Sequence, residues 1–169
     1  FLTFGAMTLA GLPPIVANAT SSITQFPGYV TSSLAYAKEI RADWREAALL
    51  GALSLVGGLA GALLLLSLSN PSFRALVPWL LLAATAIFAA GPYLKPKTLS
   101  PEKPITPFGL VGQFVTSIYG GFFGAGMGIM TLAVLGLTKG GDYHRLNALK
   151  NFLAVVIAGM AIVVFARGN

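Results

Sequence analysis

Three side chains late in the sequence could hold a small anion. Asn147, Lys150 and Asn151 fall within one helical turn, two amide donors and one full positive charge. Near the start, Asn18, Thr20, Ser21, Ser22 and Gln25 add amide and hydroxyl donors. Such groups can replace the water an oxyanion loses, and burying that anion without partners would be prohibitive. Between the two sets lies Gly120-Gly121-Phe122-Phe123-Gly124-Ala125-Gly126-Met127-Gly128. Gly124, Gly126 and Gly128 are candidate contacts, because backbone N–H groups can approach a ligand where no Cβ blocks them. A second reading of this run is close helix packing through the GxxxG pairs Gly120/Gly124 and Gly124/Gly128. Lys150 also has two readings, a binding residue inside a span or a side chain reaching back to the interface.

Other chemistries fall away. There is no Cys and only one His, His144, which removes thiolate chemistry and multi-histidine metal sites. The HExxH, GxSxG and P-loop patterns are absent. The glycines do not form a dinucleotide fingerprint, since Ile129 stands where the next glycine is required. No cofactor, no metal and no enzymatic activity are expected. Basic residues occur in short clusters between apolar runs rather than crowding one surface, so no nucleic-acid partner is expected either.

The elements that must position these residues follow from the solvent. Hydrophobic residues make up 56% of the 169-residue chain and charged residues 9%, against about 25% in soluble domains. Mean hydropathy is +0.79. The solvent implied is a lipid bilayer, and the fold class all-α: a polytopic transmembrane helical bundle. A span needs about 20 apolar residues. Charges delimit spans at 15–37, 47–68, 75–91, 108–138 and 146–165, after a partial segment at 1–12 stopped by Pro13 and Pro14. Residues 69–72 read as a tight turn. Residues 92–107 read as a cytoplasmic linker whose prolines, Pro96 among them, forbid a continuous helix; Lys95, Lys97 and Lys103 lie in it. As one helix, 108–138 would run about 45 Å, so a break at its glycines is expected. The chain opens and closes against apolar segments and reads as a piece of a longer membrane protein.

On the span at 15–37, Asn18, Ser22, Gln25, Tyr29, Ser32 and Tyr36 share one narrow stripe at 100° per residue. This is read as the wall of a polar path, with interhelical hydrogen bonding as the alternative. Pro27-Gly28 is expected to kink or unwind that helix. Gly11-Leu12 followed by Asn18-Ala19, and Gly136-Leu137 followed by Asn147-Ala148, suggest an internal repeat. Residues 1–91 are the first repeat and 108–169 the second. With alternating spans, Lys38, Arg41, Arg45, Lys95, Lys97, Lys103 and Arg167 fall on one side, which is assigned to the cytoplasm. Arg74, Lys139 and Arg145 fall on the other. That map places Asn18 and Asn147 at the same depth, with Asn18, Ser21 and Ser22 facing Asn147, Lys150 and Asn151.

The segment from Phe1-Leu2-Thr3 to Ala10-Gly11-Leu12-Pro13-Pro14, the signature Ala17-Asn18-Ala19-Thr20-Ser21-Ser22, the loop Asp43-Trp44-Arg45, the run Gly120 to Gly128 and the stretch Arg145 to Asn151 resemble, in order and spacing, the sulfite exporter TauE/SafE family. The resemblance implies duplicated halves and about eight spans in a complete member, with the first glycine motif before Phe1 and a last span after Asn169. It further implies transport of sulfite, organosulfonates or related sulfur oxyanions by alternating access. The cell inner membrane, crossed several times, is the expected location. The expected partners are the bilayer and a small anion, with the oligomeric state left open. A non-transporting accessory subunit or a membrane-embedded enzyme is the alternative.

Overall fold

The structure is a computed structural model that describes residues 2–94 and 101–168. The linker residues Lys95, Pro96 and Lys97 lie outside them. The described residues form eight helices and no strand: α1 Leu2–Leu9, α2 Pro14–Ala35, α3 Ala37–Ala42, α4 Trp44–Leu66, α5 Asn70–Leu94, α6 Pro107–Phe122, α7 Met127–Thr138 and α8 Tyr143–Arg167. The fold is all-α. Helices α4 and α8 are each long and apolar enough to cross a membrane.

The helix starts are chemically explicit. Pro14 opens α2 and Pro107 opens α6, where the missing N–H would have had no partner anyway. Thr106 Oγ1 accepts from Gly109 N at 3.2 Å, and Asp142 accepts from His144 N at 3.2 Å. Ser69 Oγ accepts from Ser72 N at 3.3 Å, so α5 begins within the expected turn and ends inside the expected linker. Charges bounded the expected spans too tightly, because Arg74 and Arg145 ride on first turns that need not enter hydrocarbon. Nor does Pro27 unwind α2, which stays helical through it. One proline removes a single backbone bond, and Thr31 Oγ1 donates to the Pro27 and Gly28 carbonyls at 3.0 and 3.1 Å.

At the centre, α4 packs between α6 and α8. Small residues set that contact. A Cβ on Gly61 would overlap the Ile118 carbonyl, one on Gly121 would overlap that of Gly58, and one on Gly57 would come within 2.7 Å of Ser117 Cβ. The two backbones therefore touch, as membrane helices do at small-residue interfaces. Beside them, fully buried Gln113 donates from Nε2 to Ser54 Oγ at 3.1 Å and to Ser117 Oγ at 3.3 Å.

The bundle has two ends. At the turn face, residues 11–14 lie beside residues 70–75, and Gly168 meets the Leu66 side chain. The connector face gathers residues 37–46, 101–106 and 139–145, joined by ion pairs. Here the structure corrects the expected topology. The segment 108–138 does break, over Phe123–Gly126, but it then reverses. Gly112 lies against Val134, with 3.1 Å from its would-be Cβ to that side chain, and Lys103 N donates to Lys139 O at 2.9 Å. Both ends of this hairpin are therefore on the connector face, and its arms of about 24 and 18 Å are shorter than the ~30 Å core. Lys139 and Arg145 join Lys38, Arg41, Arg45 and Lys103 on one face. Arg167 moves to the face of Arg74.

This topology predicts a labelling pattern in the full-length protein. Cysteines replacing Ala42 and His144, both exposed on the connector face, should react with an impermeant reagent from the same side of a sealed vesicle. A cysteine replacing Ser72 should react from the other. Labelling of Ala42→Cys and His144→Cys from opposite sides would mean that the hairpin crosses.

Candidate functional site

The break at Phe123–Gly126 needs two left-handed residues, and Gly124 and Gly126 provide them at φ of 76° and 80°. A helix end at membrane depth also leaves backbone groups that water cannot reach. Two carbonyls of the break are met by side chains. Asn18 Nδ2 donates to Phe122 O at 3.0 Å, and the Tyr119 hydroxyl donates to Ala125 O at 2.8 Å. The N–H groups of Ala125, Gly126 and Gly128, at the start of α7, have no protein acceptor among the described residues.

The residues that carry these amides border a cavity of about 160 Å³. Gly124, Gly126 and Gly128 line it from the hairpin; Asn18, Ser21, Ser22, Gln25 and Tyr29 line it from α2. No Asp, Glu, Lys, Arg or His is among its lining residues. The α2 side chains are ordered by one another. Gln25 Nε2 donates to Ser21 O at 3.1 Å and to Ser21 Oγ at 3.3 Å, the Tyr29 hydroxyl donates to Gln25 Oε1 at 3.2 Å, and Ser22 Oγ donates to Asn18 O at 3.1 Å. Chemically the pocket presents hydrogen-bond donors and the positive end of a helix, with no group placed for covalent catalysis.

The structure brings together Asn18, Ser21, Ser22, Gln25, Gly124, Gly126 and Gly128. It does not bring in Thr20, which lies on another face of α2, nor Asn147, Lys150 and Asn151. The expected facing of Asn18 with Asn147 is corrected, because α2 and α8 are antiparallel. Asn147 Nδ2 donates to the Tyr36 hydroxyl at 3.1 Å, at the far end of α2 from Asn18. Eighteen residues separate Asn18 from Tyr36 on α2, about 27 Å along the axis. Lys150 stands between these levels, its Cδ 3.5 Å from the position a Gly128 Cβ would take.

Two residues escaped the sequence reading. Tyr119 gave no signal, being one aromatic among many. Lys139 looked like a plain connector residue but is only 3% exposed and pairs with Glu46 and with Glu102 at 3.0 Å. Its detectable signal was the opposite charge of those two connectors. Arg145 extends the cluster to Glu102 at 2.6 Å and Asp43 at 3.4 Å, and His144 lies 3.3 Å from Glu39. Burial opposes the Lys139 charge, but its hydrogen bonds to Glu46 and Glu102 outweigh that and hold the ammonium above its ordinary pKa. The hydrogen bond from Lys139 holds Glu102 below the usual carboxylate range against partial burial.

The signs fix the pH window. The Glu102 contribution is present above the ordinary carboxylate pKa and is lost as pH falls through the lowered value. That of Lys139 is present below the ordinary lysine pKa and is lost as pH rises through the raised one. Lys139→Met should destabilise the protein by about 2–3 kcal/mol, below the full buried-pair value because the carboxylates keep some solvent. Lys139→Met/Glu46→Gln should recover part of that. Thermal unfolding in detergent measures both, and an unchanged Lys139→Met midpoint at neutral pH would refute the tie. Acidification below the carboxylate range should lower the wild-type midpoint more than that of Lys139→Met.

With this geometry in place, comparison with known proteins is informative. A family model described as "Sulfite exporter TauE/SafE" matches residues 1–169. A "Probable membrane transporter protein ORF9" of Sinorhizobium sp is 29% identical over 146 residues, covering 82% of this chain and 55% of that protein. A "Probable membrane transporter protein" of Haemophilus influenzae is 28% identical over 137 residues, 80% of this chain and 54% of that one. The "Probable membrane transporter protein YfcA" of Escherichia coli K12 is 26% identical over 171 residues, 95% and 64% respectively. The chain thus spans between about half and two thirds of the length of these relatives. No solved structure matches. An all-α bundle with a broken, glycine-lined hairpin, matched end to end by that family model, is a membrane protein that belongs to the sulfite exporter TauE/SafE family.

Proposed function

We propose that this chain is the major part of a transporter that carries a small anion across the membrane by alternating access around the α2–hairpin cavity. One observation carries the reading. Ala125, Gly126 and Gly128, whose N–H groups are unpaired at the start of α7, line a cavity together with amide and hydroxyl side chains and no carboxylate. A helix start with free amides favours an anion. The cavity volume suits a solute of a few heavy atoms. Sulfite, organosulfonates and related sulfur oxyanions are the substrate class that the family description supports.

The arrangement of the two ends of the chain fits a transporter of inverted repeats. Helices α1 and α2 form a short helix, a turn and a long helix, as do α7 and α8, and the two long helices run antiparallel. The half-helix α1 reaches the hairpin tip from the turn face, where Phe4 packs on Phe123 at 5.6 Å between ring centroids. We therefore assign residues 1–91 and 108–169 to the two repeats and 92–107 to the linker. The excess of Lys and Arg on the connector face supports assigning that face to the cytoplasm, in a cell inner membrane crossed several times. Substrate contacts are assigned to Asn18, Ser21, Ser22, Gln25, Gly124, Gly126 and Gly128.

Proteoliposomes holding the full-length protein test this. Sulfite and methanesulfonate uptake should saturate, while glycerol should not be carried. Gln25→Leu should lower anion uptake at least about tenfold, a typical effect of removing a donor from a desolvated site. Gly126→Ala should do the same, since it places a Cβ at positive φ beside the amides. Thr31→Val, on the exposed side of α2, should leave uptake unchanged. Normal anion uptake by both Gln25→Leu and Gly126→Ala would overturn the cavity as the site.

A further inference from the structure

Lys150 carries a charge whose counterpart is missing from the described residues. All five carboxylates of the chain, Glu39, Asp43, Glu46, Glu102 and Asp142, belong to the connector face. The first four are paired with His144, Arg145 and Lys139. Asp142 caps α8. Lys150 lies two turns into α8, is half-buried and has no ion-pair partner among the described residues.

Its surroundings increase the deficit. The Lys150 stem packs on Gly128, within the first turn of α7. A full positive charge therefore stands beside the positive end of a helix whose first amides are unpaired. An anion bound in that position would offset the desolvation of the ammonium. Neutral donors gather at the same level. Asn147 and Asn151 flank Lys150 on α8. On α2, Tyr36 touches Asn147 and Tyr29 packs against the cluster containing Ala154, which brackets Ser33 at the depth of Lys150. Ser33 Oγ is buried without a hydrogen-bond partner.

We infer that Lys150, with Asn147 and the Ser33 hydroxyl, forms a second anion station between α2, α7 and α8, on the connector side of the cavity. An oxyanion held there neutralises the ammonium, and it needs only to pass the Gly128 turn to reach the cavity amides. This inference rests on the anion-transport reading. It separates residues that the sequence grouped into one site into two stations at different depths.

The test uses the full-length protein free of other cysteines, with methanesulfonate and sulfite as probes. Lys150→Met should weaken methanesulfonate binding by about tenfold or more, and Lys150→Arg should stay within about threefold of wild type. Lys150→Cys should transport poorly. Alkylation of that cysteine with 2-bromoethylamine, which rebuilds an ammonium at nearly the lysine length, should restore transport after the reagent is removed. A folding defect would not be repaired in this way. In Gln25→Leu, methanesulfonate should still bind, and adding Lys150→Met should abolish that binding.

Wild-type binding by Lys150→Met, or no rescue of Lys150→Cys, overturns the station while leaving the cavity reading intact. Loss of all binding in Gln25→Leu alone shows one site and also overturns it. If neither anion binds the wild-type protein, both readings fall.

Discussion

The fold depends on how a broken backbone is made tolerable at membrane depth. Hydrocarbon offers no hydrogen bonds, so every carbonyl and amide freed at Phe123–Gly126 must find a partner or face a cavity. Two of the freed carbonyls, those of Phe122 and Ala125, are met from within, by the Asn18 amide and the Tyr119 hydroxyl. Ala125, Gly126 and Gly128, whose amides have no protein acceptor among the described residues, line the cavity. The small residues of α4 and α6 serve the same end, because only backbones in contact allow α6 to bring its last turn so deep beside α4.

The second half of the design is electrostatic. The C-terminal end of α7 carries partial negative charge, and Lys139, buried there, is bound in turn by Glu46 and Glu102. That cluster ties one end of α7 to α4, to the linker segment and, through Arg145, to the start of α8. The other end of α7 has no ion pair among the described residues. One end of the short helix is therefore pinned by charge at the connector face, and the other is held by apolar packing, with Met127 buried against Ala154 and Ile157.

Much of this was legible in the sequence. The all-α class follows from hydropathy, the break from glycines that a long helix does not tolerate, and the cavity wall on α2 from the shared angle of Asn18, Ser22 and Gln25. The direction of the chain after the break was not legible. A charge-free run of this length suits one bent crossing or an in-and-out hairpin equally well, and the contacts of Gly112 with Val134 decide between them only in three dimensions. That single ambiguity propagated. It sent Lys139 and Arg145 to the wrong face, hid their pairing with Glu46, Glu102 and Asp43, and set Asn147 level with Asn18. Likeness between two stretches of sequence is also blind to inversion, so Asn18 and Asn147 matched as residues while lying at opposite ends of antiparallel helices.

Inversion has a consequence for binding strength. Two half-helices approach the cavity from opposite faces, α1 with Phe4 against Phe123 and α7 with its open amides. The start of α7 contributes about half an elementary charge through dipoles fixed in the backbone. A full lysine charge within the cavity would hold an oxyanion more tightly, and a site that conducts must bind well enough to fill and weakly enough to empty. Placing the fixed charge of Lys150 outside the cavity, behind Gly128, divides those demands. On the proposed anion-transport reading, the ammonium would draw the anion between the helices, and the weaker field of the amides would hold it where it must later be released. On this reading, the absence of charge among the cavity's lining residues is what allows turnover.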